Sequence, residues 1–332
     1  MSTTTLHVAP ISTQTSNTLP RYAALTLGFM VFVVLEGAVV RATGSGAGCG
    51  NHWPLCNGEV IPVHPRLATI IEFVHRQLTT VCTLLVIGLV VAIFRARPRG
   101  TRVRRAAVWS AILLVTEGAL GAILVKGGYV ESNASNMRVL MQCIHFTNTM
   151  LLLAALTLTW WWLRPRPVVL ASNTPPATFS RLRFTAWTAV FATIVIGATG
   201  SVAALADTLF PSPSLASGLA QDFASTAPLL IRMRWLHPAA AVIGLICAIW
   251  LSLALRSTAA KWLLGLIAAQ LVLGITDVLL LAPTWMQVLH LLGADFYWIA
   301  LVATASSVLT ETSPTARRIK ARASSPTLEP TQ

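Results

Sequence analysis

The chain has 332 residues, of which 55% are hydrophobic and 11% charged, with a mean hydropathy of +0.70. A soluble globular domain carries about 25% charged residues, so this composition indicates an integral membrane protein. The formal net charge of +13 sits mostly in short loops between apolar runs, the pattern of the positive-inside rule and not of nucleic-acid binding.

Residues 1–20 are rich in Ser and Thr and carry no Lys or Arg. Without a charged region ahead of an apolar one they do not read as a secretory signal, and without arginines they do not read as a transit peptide. A disordered cytoplasmic tail is expected. Eight apolar runs follow, at 22–42, 67–94, 106–126, 138–163, 184–206, 230–255, 261–281 and 285–309. Each is close to the ~20 residues that cross a hydrocarbon core, which predicts an all-α membrane protein of eight transmembrane helices. Arg95, Arg97, Arg99, Arg102, Arg104 and Arg105 lie between the second and third runs, Arg164, Arg166, Arg181 and Arg183 between the fourth and fifth. Arg256 and Lys261 flank the sixth turn, and Arg317, Arg318, Lys320 and Arg322 follow the last run. With eight spans all of these fall on one side, so both termini are expected in the cytoplasm of a bacterium, with the chain in its inner membrane. The longer segments 43–66 and 207–229 then face outward.

The second half of the chain echoes the first. Met141-Gln142-Cys143-Ile144-His145 in run four matches Met286-Gln287-Val288-Leu289-His290 in run eight, and His75 in run two corresponds to His237 in run six. Gly37-Ala38 is echoed by Gly197-Ala198, and Gly121 by Gly274. Four spans followed by four similar spans keep their orientation, which implies a parallel repeat about an axis along the membrane normal. The expected organisation is a four-helix bundle at 21–165, a cytoplasmic linker at 166–183, a second bundle at 184–310 and a basic cytoplasmic tail at 311–332.

Ionisable residues at membrane depth are costly and mark functional sites by default. His75, His145, His237 and His290 all fall some 8–15 Å below the outer surface at 1.5 Å per helical residue. Two imidazoles on neighbouring helices can bind a haem iron axially; another metal such as copper is open for either pair, and hydrogen-bonded core histidines are the plain alternative. Four at matched depth in a repeat argue against that alternative. The halves differ, because Glu72 stands three residues before His75 whereas Arg234 stands three before His237. Glu72 is a candidate proton acceptor or stabiliser of positive charge; a salt bridge to Arg76 along the helix fits its spacing equally. Glu36 and Glu117 read as structural carboxylates. Cys49 and Cys56 bracket a short outer loop in an oxidising compartment, where a disulfide, structural or redox-active, is open to them. Arg41, Arg76, Arg138, Arg232 and Arg234 lie near the outer helix ends and are candidate partners of haem propionates, with snorkelling as the alternative.

Together these features resemble the haem A synthase family over about residues 21–309. The resemblance is carried by Gly44-Ser45-Gly46-Ala47-Gly48-Cys49 with Trp53-Pro54-Leu55-Cys56, by Glu72-Phe73-Val74-His75-Arg76, and by the single histidines of runs four, six and eight. It implies oxidation of a ring methyl of haem O to a formyl group, by two hydroxylations and loss of water, to make haem A for terminal oxidases. It further implies that His237 and His290 hold a haem b prosthetic group, that His75 and His145 hold the substrate haem O, and that Glu72 is the catalytic carboxylate. Cys49 and Cys56 match the family's outer redox pair; a second outer pair found in some members is absent, since no cysteine lies between 201 and 230. Expected partners are a haem O synthase, an unidentified electron donor and membrane lipid. A di-haem electron-transfer cytochrome would explain the histidines but not Glu72 or the cysteines, and a haem transporter would require helix breaks beyond Pro238.

Overall fold

The computed structural model describes residues 17–164, 176–255 and 257–310. The predicted N-terminal tail up to residue 16, the linker from 165 to 175, Arg256 and the tail from 311 lie outside the described residues. Among those described, eight helices are long and apolar enough to cross a membrane, as expected for a multi-pass membrane protein. They are built from α1 (Thr18–Ala42), α2 (Leu67–Ala96), α3 (Arg102–Lys126), α4 (Asn136–Leu163), α5 (Pro176–Leu209), α7 (Leu229–Arg232) continued by α8 (Leu236–Leu255), α9 (Thr258–Leu279) and α10 (Thr284–Leu309), with a short α6 (Leu215–Phe223) before α7.

Helix ends depart from the apolar runs where backbone chemistry, not hydropathy, decides them. α5 begins at Pro176, inside the stretch expected to be linker, because a proline in a first helical turn lacks only an N–H that would be unbonded there anyway. Ser135, Ser214 and Ser257 cap α4, α6 and α9 by accepting the N–H of Arg138, Ser217 and Ala260, each worth about 1 kcal/mol. The sixth span breaks between Arg232 and Leu236. Pro238 cannot donate to Arg234 and would clash with its carbonyl in a continuous helix, so the chain tightens through Arg234 N–H to Ile231, Leu236 N–H to Met233 and His237 N–H to Arg234, then restarts.

Within the first four spans α1 packs on α2 and α4, and α3 on α2 and α4; within the last four α5 packs on α8 and α10, and α9 on α8 and α10. The histidine-bearing helices, α2 with α4 and α8 with α10, are therefore the diagonals of two four-helix rings. The rings meet where α4 packs on α5 and α10 and where α1 packs on α10 and α5. Trp298 Nε1 donates to the Met150 carbonyl at 2.8 Å and Trp162 Nε1 to Ser306 Oγ at 2.9 Å across this seam.

Packing is uneven with depth. The large buried cluster, including Leu89, Ile93, Leu152, Leu156, Leu251 and Leu301, fills the end nearest the arginine-rich loops. Toward the end bearing Cys49 and Cys56, a layer of every span lacks any fully buried side chain: 34–42 in α1, 73–81 in α2, 111–123 in α3, 139–148 in α4, 194–200 in α5, 236–243 in α8, 268–279 in α9 and 287–294 in α10. All four membrane-depth histidines fall in that layer. Interiors are normally packed to crystal-like density, so a thinly packed layer through both rings marks a site.

Candidate functional site

His75, His145, His237 and His290 lie 8, 9, 8 and 6 residues from the starts of their spans at Leu67, Asn136, Leu229 and Thr284, about 9–14 Å of helix. The counts place them at similar distances along their spans, on the diagonal helices of the two rings. The His237 and His290 rings have centroids 6.2 Å apart and planes at 84°. That separation suits two imidazole nitrogens each ~2.0–2.1 Å from one metal atom, and it lies inside the thinly packed layer.

Three of the four rings rest on glycine. A Cβ at Gly37, Gly200 or Gly274 would come within 3.0, 2.9 or 3.0 Å of Cε1 of His75, His237 or His290. Only a residue without a side chain lets the facing helix approach the imidazole this closely. This refines the expected repeat: Gly200, not Gly197, seats the sixth-span histidine, while Gly197 presses on Met150 at the seam between rings. A Cβ at Gly121 meets nothing within 4 Å, so it does not share the role of Gly274.

The partners of the rings differ between halves. His75 Nδ1 lies 2.6 Å from Glu36 Oε2, without the alignment of a hydrogen bond, and His145 Nδ1 lies 3.6 Å from Glu117 Oε1. Glu117 is held by Asn148 Nδ2 and Thr149 Oγ1 from α4. His237 Nδ1 instead donates to the Ile196 carbonyl at 3.1 Å, and the Gln270 amide nitrogen lies 3.2 Å from His290 Nδ1 and 3.3 Å from its Nε2. Glu36 and Glu117, expected to serve inter-helix structure or neutralise arginines, stand against histidines. The signal for them was in the repeat: Glu36 directly precedes Gly37, and Glu117 and Gln270 each stand four residues before their matched glycines.

Glu72 is buried and faces the loop. Its Oε2 accepts the Cys49 N–H at 2.7 Å and its Oε1 accepts from the Arg76 guanidinium. Arg76 Nη1 in turn donates to the carbonyls of His52 and Leu55, both at 2.7 Å. The ion pair allowed by the i, i+4 spacing is therefore present, and its second task is to fasten the segment between Cys49 and Cys56, whose sulfurs lie 2.00 Å apart. The glycine-rich approach has its own cause: a Cβ at Gly48 would sit 2.3 Å from the Ala68 carbonyl, and Thr69 Oγ1 donates to the Gly48 carbonyl at 2.7 Å. The loop lies flush on the first turn of α2, nearly two turns above His75.

Of the five arginines expected to meet propionates, four spend donors on protein. Arg41 reaches across the seam to the Ala204 carbonyl, Thr208 and Gln287. Arg76 holds Glu72 and the loop, Arg138 the carbonyls of Glu131 and Asn133. Arg234 binds Asp222 at 2.7 Å and Asp207 at 3.0 Å, tying α6 to α5. Arg232 is exposed, and its side chain has no hydrogen bond or ion pair among the described residues.

Residues 20–302 match the family model described as COX15-CtaA, cytochrome oxidase assembly protein. The chain is 41% identical over 305 residues to a protoheme IX farnesyltransferase of Thermus thermophilus, covering 88% of this chain and 48% of that protein. It is 35% identical over 140 residues to a heme A synthase of Shouchella clausii, covering 42% of this chain and 44% of that protein, and 39% identical over 107 residues to one of Geobacillus kaustophilus, covering 32% and 34%. The chain thus spans about half the length, or less, of these relatives. With a match from the first span into the last, the chain belongs to the COX15-CtaA family of cytochrome oxidase assembly proteins.

Proposed function

We propose that this protein is a haem A synthase, oxidising a ring methyl of haem O to a formyl group. The observation that carries the reading is the pair of histidines on the diagonal helices of each ring, at similar distances along their spans, in a layer left thinly packed in all eight spans. Names of relatives agree in substrate class, being heme A synthases and a protoheme IX farnesyltransferase. Farnesyl transfer is not assigned to this chain. This chain covers only 48% of that protein's length.

His237 and His290 would hold a resident haem b, and His75 and His145 the substrate haem. When bound, haem supplies the redox chemistry. The protein's own residues supply the rest. The glycine seats at Gly37, Gly200 and Gly274 orient rings, and the apolar spans keep water from the layer. Glu72 is the candidate acid or base at the reacting methyl, acting from within its clamp with Arg76 and the Cys49 N–H. Cys49 and Cys56 form a disulfide whose loop is coupled through that clamp to the substrate half. Arg232, with its side-chain donors uncommitted among the described residues, is the best placed of the five arginines for a propionate. We further propose the inner membrane of a bacterium, with the arginine-rich loops and both termini in the cytoplasm. A haem O synthase and an electron donor would be partners.

A di-haem electron carrier would have no use for a fastened, cysteine-bearing loop above one half alone. The test is haem extraction and chromatography from membranes of a haem O-producing bacterium expressing the chain. A haem A peak that disappears in His75→Ala is expected. Haem O left unconsumed in aerated cells, with reductant supplied, would return the protein to the electron-carrier class.

A further inference from the structure

A residue of a neighbouring helix stands behind each of the four histidines, and the chemistry of the four divides by half. Glu36 and Ile196 directly precede the matched Gly37 and Gly197; Glu117 and Gln270 stand four residues before Gly121 and Gly274. In the first ring both positions are carboxylates, 2.6 Å from His75 Nδ1 and 3.6 Å from His145 Nδ1. In the second ring both partners are uncharged, a backbone carbonyl for His237 and an amide for His290. Glu117 cannot swing away freely, since Asn148 and Thr149 hold its two oxygens and Asn148 is itself braced by the Leu113 carbonyl and Thr116.

We infer that Glu36 and Glu117 are positioning residues that make His75 and His145 stronger iron ligands than His237 and His290, so that the two halves hold haem at different reduction potentials. This rests on the proposed bis-histidine haem sites. Neither carboxylate contact has the geometry of a hydrogen bond. It is the negative charge of a carboxylate beside Nδ1 that favours the proton on that nitrogen, leaves Nε2 for the metal and raises the basicity of the ring. Two anions in a low-dielectric interior favour the more oxidised iron, and a neutral carbonyl or amide does so weakly. The first ring is thus set to keep the iron of the substrate haem oxidised, while the second holds electrons more readily.

The test is an optical redox titration of the full-length protein, loaded with added haem O until two haems are bound per chain, with low-spin ferric signals followed by electron paramagnetic resonance. Two components are expected, the lower-potential one absent in His75→Ala. Glu36→Gln and Glu117→Gln should each move the lower component upward by about tenfold in its reduction equilibrium, ~59 mV for one electron, with the higher one in place. Gln270→Glu should move the higher component down. If the carboxamide variants fail to retain haem in the first ring, Gln270→Glu decides alone, and an unmoved higher component overturns the assignment. So do unmoved potentials in both carboxamide variants. A wild-type chain that binds no second haem, or whose two components both survive His75→Ala, instead removes the first-ring haem site itself.

Discussion

Replacing Gly200 by alanine isolates what the glycine seats contribute. The added Cβ would stand 2.9 Å from Cε1 and 3.0 Å from Nδ1 of His237. The ring cannot retreat without losing the 3.1 Å bond from Nδ1 to the Ile196 carbonyl on the same helix as Gly200. Overpacking of this kind costs about 1–3 kcal/mol, whereas alanine gains ~0.8–1.0 kcal/mol over glycine in a helix. Global stability should therefore change by no more than ~2 kcal/mol against the protein. The displacement falls on the ring proposed to bind haem iron, and ~2 kcal/mol there is about thirtyfold in affinity. The assay is haem b retained per chain after detergent purification and competition with apomyoglobin. Gly265→Ala, on α9 where a Cβ meets nothing within 4 Å, serves as the control and should retain haem b fully. Equal retention by Gly200→Ala and Gly265→Ala would refute the idea that the glycine sets the ring.

Glu72→Gln keeps an oxygen for the Cys49 N–H but loses the charge, so haem b should remain while haem A production falls by at least tenfold; normal haem A output would leave Glu72 as a fastener of the loop and nothing more. Arg76→Ala strands a buried carboxylate, a change that costs about 3–5 kcal/mol, and releases the carbonyls of His52 and Leu55. Its loop should become sensitive to protease at residues 50–66 in intact, loop-side-exposed vesicles, with Arg76→Lys intermediate because an ammonium cannot span the carboxylate and both carbonyls. Unchanged cleavage in Arg76→Ala would show that the loop is held by other contacts.

Much of the architecture was legible from the chain alone, because in a bilayer every backbone polar group must be satisfied within the segment and a long apolar run has little choice but a helix. The eight spans follow from that constraint, and the similar distance of the four histidines from the starts of their spans follows from counting residues at 1.5 Å each. Helix ends were less legible, since Pro176, Ser135 and Pro238 decide them through caps and missing donors that hydropathy does not register. Tertiary structure alone decided who stands behind each ring. Glu36 and Glu117 are 39 and 28 residues from the histidines they face, and only the packing of α1 on α2 and α3 on α4 brings them there. It also bonded Glu72 to the Cys49 N–H and the Arg76 guanidinium beneath the loop, and it chose Gly200 over Gly197. Contacts between helices depend on rotation about each helix axis, a quantity set by side-chain packing across the bundle and carried by no local pattern in the sequence.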